Sequence, residues 1–186
     1  DKDIMEEADY EVFWQEAYAY NKSLWDRNGG FLLSEEEQER YEAVLNVSGS
    51  GMMGYVEIPR IECSLPVCHG TDEEVLQTTV GHLEGTSLPV GGPGTHCVLS
   101  AHRGLPSAKL FSDLDQMEIG DIFLLKVLNE TLTYEVDQIN VVLPEEVQDL
   151  RLTAGMDYCT LVTCTPDGVN THRLLVRGVR IANREE

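Results

Sequence analysis

From Met53 onward the sequence breaks into short β-compatible runs, each stopped within a few positions by glycine, proline or aspartate. That rhythm constrains the fold more than any other feature, because it points to a mainly β barrel or sandwich and not to strands separated by long helices. The expected strands are 54–58, 96–101, 122–128, 131–142, 157–164 and 173–181, with Asn129-Glu130 as a hairpin turn between the third and fourth. Residues 71–78 and 108–117 are the expected short helices. No segment repeats at a fixed period, which excludes solenoids and propellers.

The chain divides in texture near residue 48. Residues 1–48 hold thirteen acidic and four basic side chains and no proline, and they read as a helical appendage to a β domain over 49–186. A first helix over 4–20 places Met5, Ala8, Val12, Ala17 and Tyr20 on its apolar stripe, widened by Phe13, Trp14 and Tyr18. Asn28-Gly29-Gly30 breaks it. Ser34 with Glu37 three residues on is a capping-box pattern and predicts a second helix to about residue 45, with Tyr41, Val44 and Leu45 as its buried edge. Ser48-Gly49-Ser50-Gly51 reads as a flexible joint.

Charge and composition exclude several functions. A net charge of −20 repels a phosphate backbone and an anionic membrane surface, so nucleic acid is not an expected partner. No apolar stretch approaches the ~20 residues that span a bilayer. The sequence opens at Asp1 without an initiator Met or a basic-then-apolar leader, so a processed or shortened chain is expected, with any anchor outside it. Five cysteines, at 63, 68, 97, 159 and 164, leave at least one outside any intramolecular bridge. Cys63 and Cys68 could bridge across a Leu65-Pro66 turn. No Cys-x-x-Cys pair occurs, and His69 beside Cys68 or His96 beside Cys97 lacks a second ligand pair, so no metal is expected.

Three residues stand where chemistry could occur. Cys164 closes the run Thr160-Leu161-Val162-Thr163-Cys164 and is followed by Thr165-Pro166-Asp167-Gly168, a strand end at a loop. Arg173 opens the next strand. An antiparallel hairpin in register would face Cys164 with Arg173, Val162 with Leu175 and Thr160 with Arg177. His102 ends another strand, again before a Gly- and Pro-containing loop. If the His102 and Cys164 strands run parallel and adjacent, their carboxyl ends line one groove with a nucleophile, a proton carrier and a fixed cation. Each residue also has an ordinary reading: a core thiol, a turn histidine, a solvated arginine.

These motifs resemble a known family. Thr160-Leu161-Val162-Thr163-Cys164 is similar to the TLxTC signature of sortases, and the longer run through Arg173 to Gly178 resembles the pilin-polymerising branch, class C. His102-Arg103-Gly104-Leu105-Pro106-Ser107-Ala108-Lys109-Leu110-Phe111 resembles the segment around that branch's catalytic His, and Gly54-Tyr55-Val56-Glu57-Ile58-Pro59 its first barrel strand. The resemblance covers about 41–181. It implies an eight-stranded sortase-type barrel and a membrane-tethered transpeptidase on the extracellular face of a Gram-positive-type cell, with His102, Cys164 and Arg173 as the triad. It further implies pilin or surface-protein substrates with an LPxTG-like sorting signal, cut between Thr and Gly through a thioacyl enzyme and joined to a Lys amine. The thioester conserves the acyl energy, so no cofactor is expected.

The chain departs from the class C pattern in one respect: no proline precedes Pro59, so the Asp-Pro-aromatic lid of that class is missing. Trp25 and Asp26, in Leu24-Trp25-Asp26-Arg27, are the candidate lid residues in its place, with helix packing as the alternative for Trp25. A cell-wall-anchoring sortase, a cysteine hydrolase sharing the acyl-enzyme, and a non-catalytic β-domain assembly module stay open as rival functions. Leu88-Pro89-Val90-Gly91-Gly92 is superficially similar to a sorting signal but lacks the Thr, and reads as a loop.

Overall fold

The computed structural model of the chain describes residues 7–26, 31–103 and 109–183. Eight strands form a closed barrel: β1 (Met52–Ile58), β2 (Cys63–His69), β3 (Val80–His82), β4 (Thr95–Ser100), β5 (Ile122–Val127), β6 (Glu130–Val142), β7 (Asp157–Thr165) and β8 (His172–Ile181). Their order around the barrel is β1-β2-β3-β4-β7-β8-β6-β5. β2 with β3 and β4 with β7 are parallel, and the other neighbours are antiparallel.

The six expected strands are present, with ends moved by one or two residues. The hairpin turn lies one residue earlier than expected, at Leu128-Asn129, because Glu130 already pairs with Val127 and Leu128 takes a positive φ of 53°. β2 and β3 were not expected. Pro66 makes β2 read as a turn, yet it pairs with Tyr55 of β1 where its other side is open, the β3 ladder starting only at Val67. β3, at three residues, is too short to show an alternation.

Cys63 and Cys68 occupy opposite ends of β2, roughly 16 Å apart along an extended strand, beyond any bridging distance. The possible bridge between them is therefore not formed, and all five thiols are free. Where the expected helix over 108–117 is described, from residue 109 on, it is reduced to turns and a 3₁₀ segment, Leu114–Gln116, and the one over 71–78 is reduced to α3 (Glu73–Leu76). The Asn28-Gly29-Gly30 break and Met5 lie outside the described residues.

Two further helices pack on the barrel. In α1 (Glu7–Ser23), Trp14, Ala17 and Tyr20 are buried and Leu24 follows them, whereas Ala8 and Val12 face solvent, so the apolar stripe is rotated from the expected one. Polar pins set that rotation: the Trp14 indole donates to Asn129 Oδ1 at 2.8 Å, and Leu88 N donates to Asn21 Oδ1 at 2.7 Å. The second pin holds the 88–92 segment as a buried loop, with Leu88 and Val90 in the core. α2 (Glu35–Ala43) starts on the expected capping box, with both Ser34–Glu37 hydrogen bonds formed, and buries Tyr41 completely. Tyr41 Oη is 2.7 Å from His82 Nδ1 and accepts from Gly70 N, and burial pushes its ionisation up.

The Ser48–Gly51 stretch is strapped down rather than loose. The His69 imidazole contacts the carbonyls of Gly51 and Val44, each at 2.6 Å, tying α2's end to β2. One apolar core runs from Trp14 and Tyr41 through the barrel interior, and a smaller cluster, Val98, Leu150, Val162 and Leu175, covers the outer face of β4, β7 and β8. No helix among the described residues is long and apolar enough to cross a membrane.

Candidate active site

Strand parity decides which side chains reach the outer face. Successive residues of a strand point to opposite sides, so Cys97, Leu99, Cys159 and Leu161 enter the core while Val98, Ser100 and Val162 face outward. Ser100 is in register with Val162 across the parallel β4–β7 pair. Continuing that register by two residues aligns His102 with Cys164, both on the outward parity. Across β7 and β8, Cys164 faces Arg173, Val162 faces Leu175 and Thr160 faces Arg177, the expected register. His102, Cys164 and Arg173 are thus carried to one end of one face by three adjacent strands, and all three are half-buried.

The threonines of the Thr160–Cys164 run explain why this sequence holds that geometry. Thr163 Oγ1 donates to the Ala101 carbonyl at 2.8 Å, tying β7 to β4 immediately before His102. Thr160 Oγ1 lies 2.6 Å from His96 Nε2, a second tie lower on the same strand pair. Ala101 N donates to Val162 O, extending the ladder past the end of β4. Two side-chain locks and one backbone lock therefore fix where the His102 segment leaves the sheet.

His102 Nε2 is 3.1 Å from Glu73 Oε1 on α3, so its ring is turned by a carboxylate at the mouth of the site. The Arg173 guanidinium is held by the backbone just before it: Nη1 donates to the carbonyls of Asn170, in the preceding loop, at 3.2 Å and of His172, the first residue of β8, at 3.0 Å. Arg103, next to His102, points the other way, into the barrel end, with its side chain 5% exposed. Beside Arg173 runs a groove of about 370 Å³, walled by Val98, Val162 and Leu175 below and by Val142, Val147 and Leu150 along the β6–β7 connection, with Phe31 over it. An apolar trench that reaches Arg173, which pairs with Cys164 across β7 and β8, suits an extended peptide.

Trp25 and Asp26 do not reach this site. The Trp25 indole donates to Gly94 O at 3.0 Å and its ring lies against Gly94, the residue before β4 begins. The first residue of β4 pairs with the first residue of β7, and Cys164 is seven residues farther along β7, roughly 23 Å at strand rise. The candidate lid residues are therefore corrected to a packing position at the far end of the face. Phe31 is the aromatic residue at the groove, a position its sequence context does not signal. Glu73, Arg103 and the groove walls are likewise not legible in the sequence, because they meet only through the barrel's closure. Among the described residues, no three His, Cys, Asp or Glu side chains converge on a metal-sized space.

The fold agrees with comparisons to known proteins. Residues 56–181 match the family model for the sortase domain. The chain belongs to the sortase family. It is similar to the crystal structure of sortase C1 from Streptococcus agalactiae, with 52% identity and a TM-score of 0.92 over 97% of this chain and 93% of that one. The sortase C of Streptococcus pneumoniae, whose structure was described in terms of catalysis and pilin substrate specificity, is 46% identical with a TM-score of 0.85, covering 96% and 91%. Sortase A of Streptococcus agalactiae is 32% identical over 128 residues, 67% of this chain, and the match spans about half of that protein's length, 51%.

Proposed function

We propose that this chain is a cysteine transpeptidase of the pilin-polymerising type, with Cys164 as nucleophile, His102 as proton carrier and Arg173 as oxyanion donor. The observation that carries the reading is the shared outward parity of the three residues at one end of three adjacent strands, beside an apolar groove that Arg173 lines. The similarity to sortase C structures supports the pilin class of substrate.

The Cys164 thiolate attacks the Thr carbonyl of an LPxTG-like sorting signal, forming the C–S bond. Collapse of the adduct breaks the Thr–Gly C–N bond, and protonated His102 delivers its proton to the departing Gly amine. A Lys amine of the next pilin subunit then attacks the thioester, neutral His102 takes the amine proton, and the thiolate leaves. The planar fork of Arg173 can place two N–H donors on the tetrahedral oxygen. The working site is on the extracellular face of a Gram-positive-type cell membrane, and the partners are pilin or surface proteins with a C-terminal sorting signal.

Incubation with a sorting-signal peptide, read by intact mass, should give an acyl-enzyme that Cys164→Ala does not form. An adduct persisting in that variant overturns the nucleophile assignment. Raising the concentration of a lysine-containing acceptor should shift product from hydrolysed to amine-joined peptide, and a fixed hydrolysed yield would make the chain a hydrolase. Arg173→Lys keeps the charge and loses the fork, so turnover should fall by about 10²-fold. Wild-type turnover there would count against oxyanion binding by Arg173.

A further inference from the structure

We propose that Arg103 is a positioning residue for the nucleophile: its guanidinium takes over the hydrogen-bond rung that β4 can no longer supply to Cys164. The inference rests on the active-site reading above and adds a residue to it.

The ladder between β4 and β7 shows the missing rung. Ala101 N donates to Val162 O. In a continued parallel pair the next donor, two residues on, would be the backbone N–H of residue 103, and the next acceptor the carbonyl of Cys164. Here the Arg103 side chain does that work, with Nη1 3.2 Å from Cys164 O. Nη2 donates to Ser112 O at 3.2 Å and lies 3.5 Å from the Asp115 carboxylate, so the same planar group ties the end of β7 to the 109–117 segment. Phe111 N donates to His102 O, fastening the other catalytic strand end to that segment too. Nε has no hydrogen-bond partner among the described residues and stands 3.9 Å from Asp167, three residues after Cys164.

A purely structural plug would not call for a cation here. The surrounding segment supplies Leu110, Phe111 and Leu114, all buried, and an apolar side chain of similar volume at a buried position is commonly as stable as a buried ion pair or more so. A fork that grips two carbonyls from different segments fixes the peptide plane of Cys164, and with it the direction in which its side chain leaves the strand. A displacement of about 1 Å in a reacting group can cost about 10²-fold in rate.

Acyl-enzyme formation with the sorting-signal peptide, measured as kcat and KM alongside thermal melting, tests this. Arg103→Lys keeps the charge without the fork. The expected result is a kcat lowered tenfold or more, KM within threefold and a cooperative melt. Wild-type kcat, or a change confined to KM, overturns the role. If the Lys variant does not melt cooperatively, Asp115→Asn decides, since it loosens only the outer grip on Nη2: a threefold or greater loss of kcat at constant KM supports positioning, and wild-type kcat overturns it. Cys164→Ala runs in parallel. Persistent acylation there sinks the active-site reading and this role with it, whereas wild-type kcat in the Lys variant removes the Arg103 role alone.

Discussion

At the covered end of the outer β4–β7 face, His96 sits under the 151–152 segment with its Nδ1 3.1 Å from Arg151 O and its Nε2 on Thr160 Oγ1. At the open end, six residues on and just past the end of β4, on the same continued parity, His102 is half-exposed, in line with Cys164, and touches the Glu73 carboxylate. Both are imidazoles near a nucleophilic side chain of the neighbouring parallel strand, so residue type does not separate them. Coverage does. Burial holds His96 down to about 4, which fixes it as a neutral hydrogen-bonding group across the neutral pH range. The thiols repeat the lesson: Cys159 and Cys164 lie five positions apart on β7, the odd spacing sends the first into the core, and burial pushes its thiol up.

Exchanging chemistry for stability between the two ends is the strongest way to break this comparison. His102→Ala should reduce peptide turnover by about 10²- to 10⁴-fold, because a positioned proton carrier is lost, with little change in melting temperature. His96→Asn should do the reverse, keeping turnover within a fewfold while lowering stability by about 1–3 kcal/mol, the cost of leaving Thr160 and the Arg151 carbonyl without their partner. Equal losses of turnover in both variants would mean that the covered end takes part in catalysis.

Acid should separate the ends next. The unfolded chain protonates His96 near its ordinary 6.5 and the folded chain only near 4. Between those values the unfolded state binds more protons, so stability falls as pH drops from about 6.5 toward 4. The shift corresponds to on the order of 3 kcal/mol. Urea unfolding at pH 7 and pH 4 should show that loss in the parent chain and a smaller one in His96→Asn. An identical pH dependence in both would place the acid-sensitive group elsewhere.

A smaller effect concerns the lock that aligns the two strand ends. Thr163→Val keeps the shape of a buried side chain and removes its hydrogen bond to the Ala101 carbonyl, at a cost of about 1–2 kcal/mol. Since the bond lies directly between the residues that precede Cys164 and His102, turnover should fall severalfold more than the loss of stability explains at a temperature where both chains are folded. Unchanged turnover would show that the Arg103 and backbone rungs suffice.

What could be read in the sequence follows from how local each signal is. The Cys164–Arg173 register was legible because two strands joined by a short connection have few alternative pairings, and the capping box was legible because all its atoms lie within four residues. β2 was hidden by Pro66, whose tolerance depends on where a different strand, β3, begins. The rotation of α1 was hidden because Asn129 and Leu88, which set it, are over sixty positions away. The same holds for Arg103, which reads as an ordinary polar residue after a histidine until Cys164 O and Ser112 O are placed beside it.

Trp25 gives the smallest expected effect and the finest test of the division between the ends. Its ring rests on Gly94, where a Cβ would meet the indole at 3.2 Å, and its N–H is satisfied by the Gly94 carbonyl, so about half of the ring is exposed while its polar edge is fixed. Removing it in Trp25→Ala takes away one part-buried hydrogen bond and a ring contact at the start of β4, worth about 1 kcal/mol of stability. Turnover should stay within twofold, because the strand pair separates Trp25 from Cys164 by the full length of β7. An increase in turnover would mean that this aromatic residue does restrict the groove, and the covered end would then be a regulator of the open one.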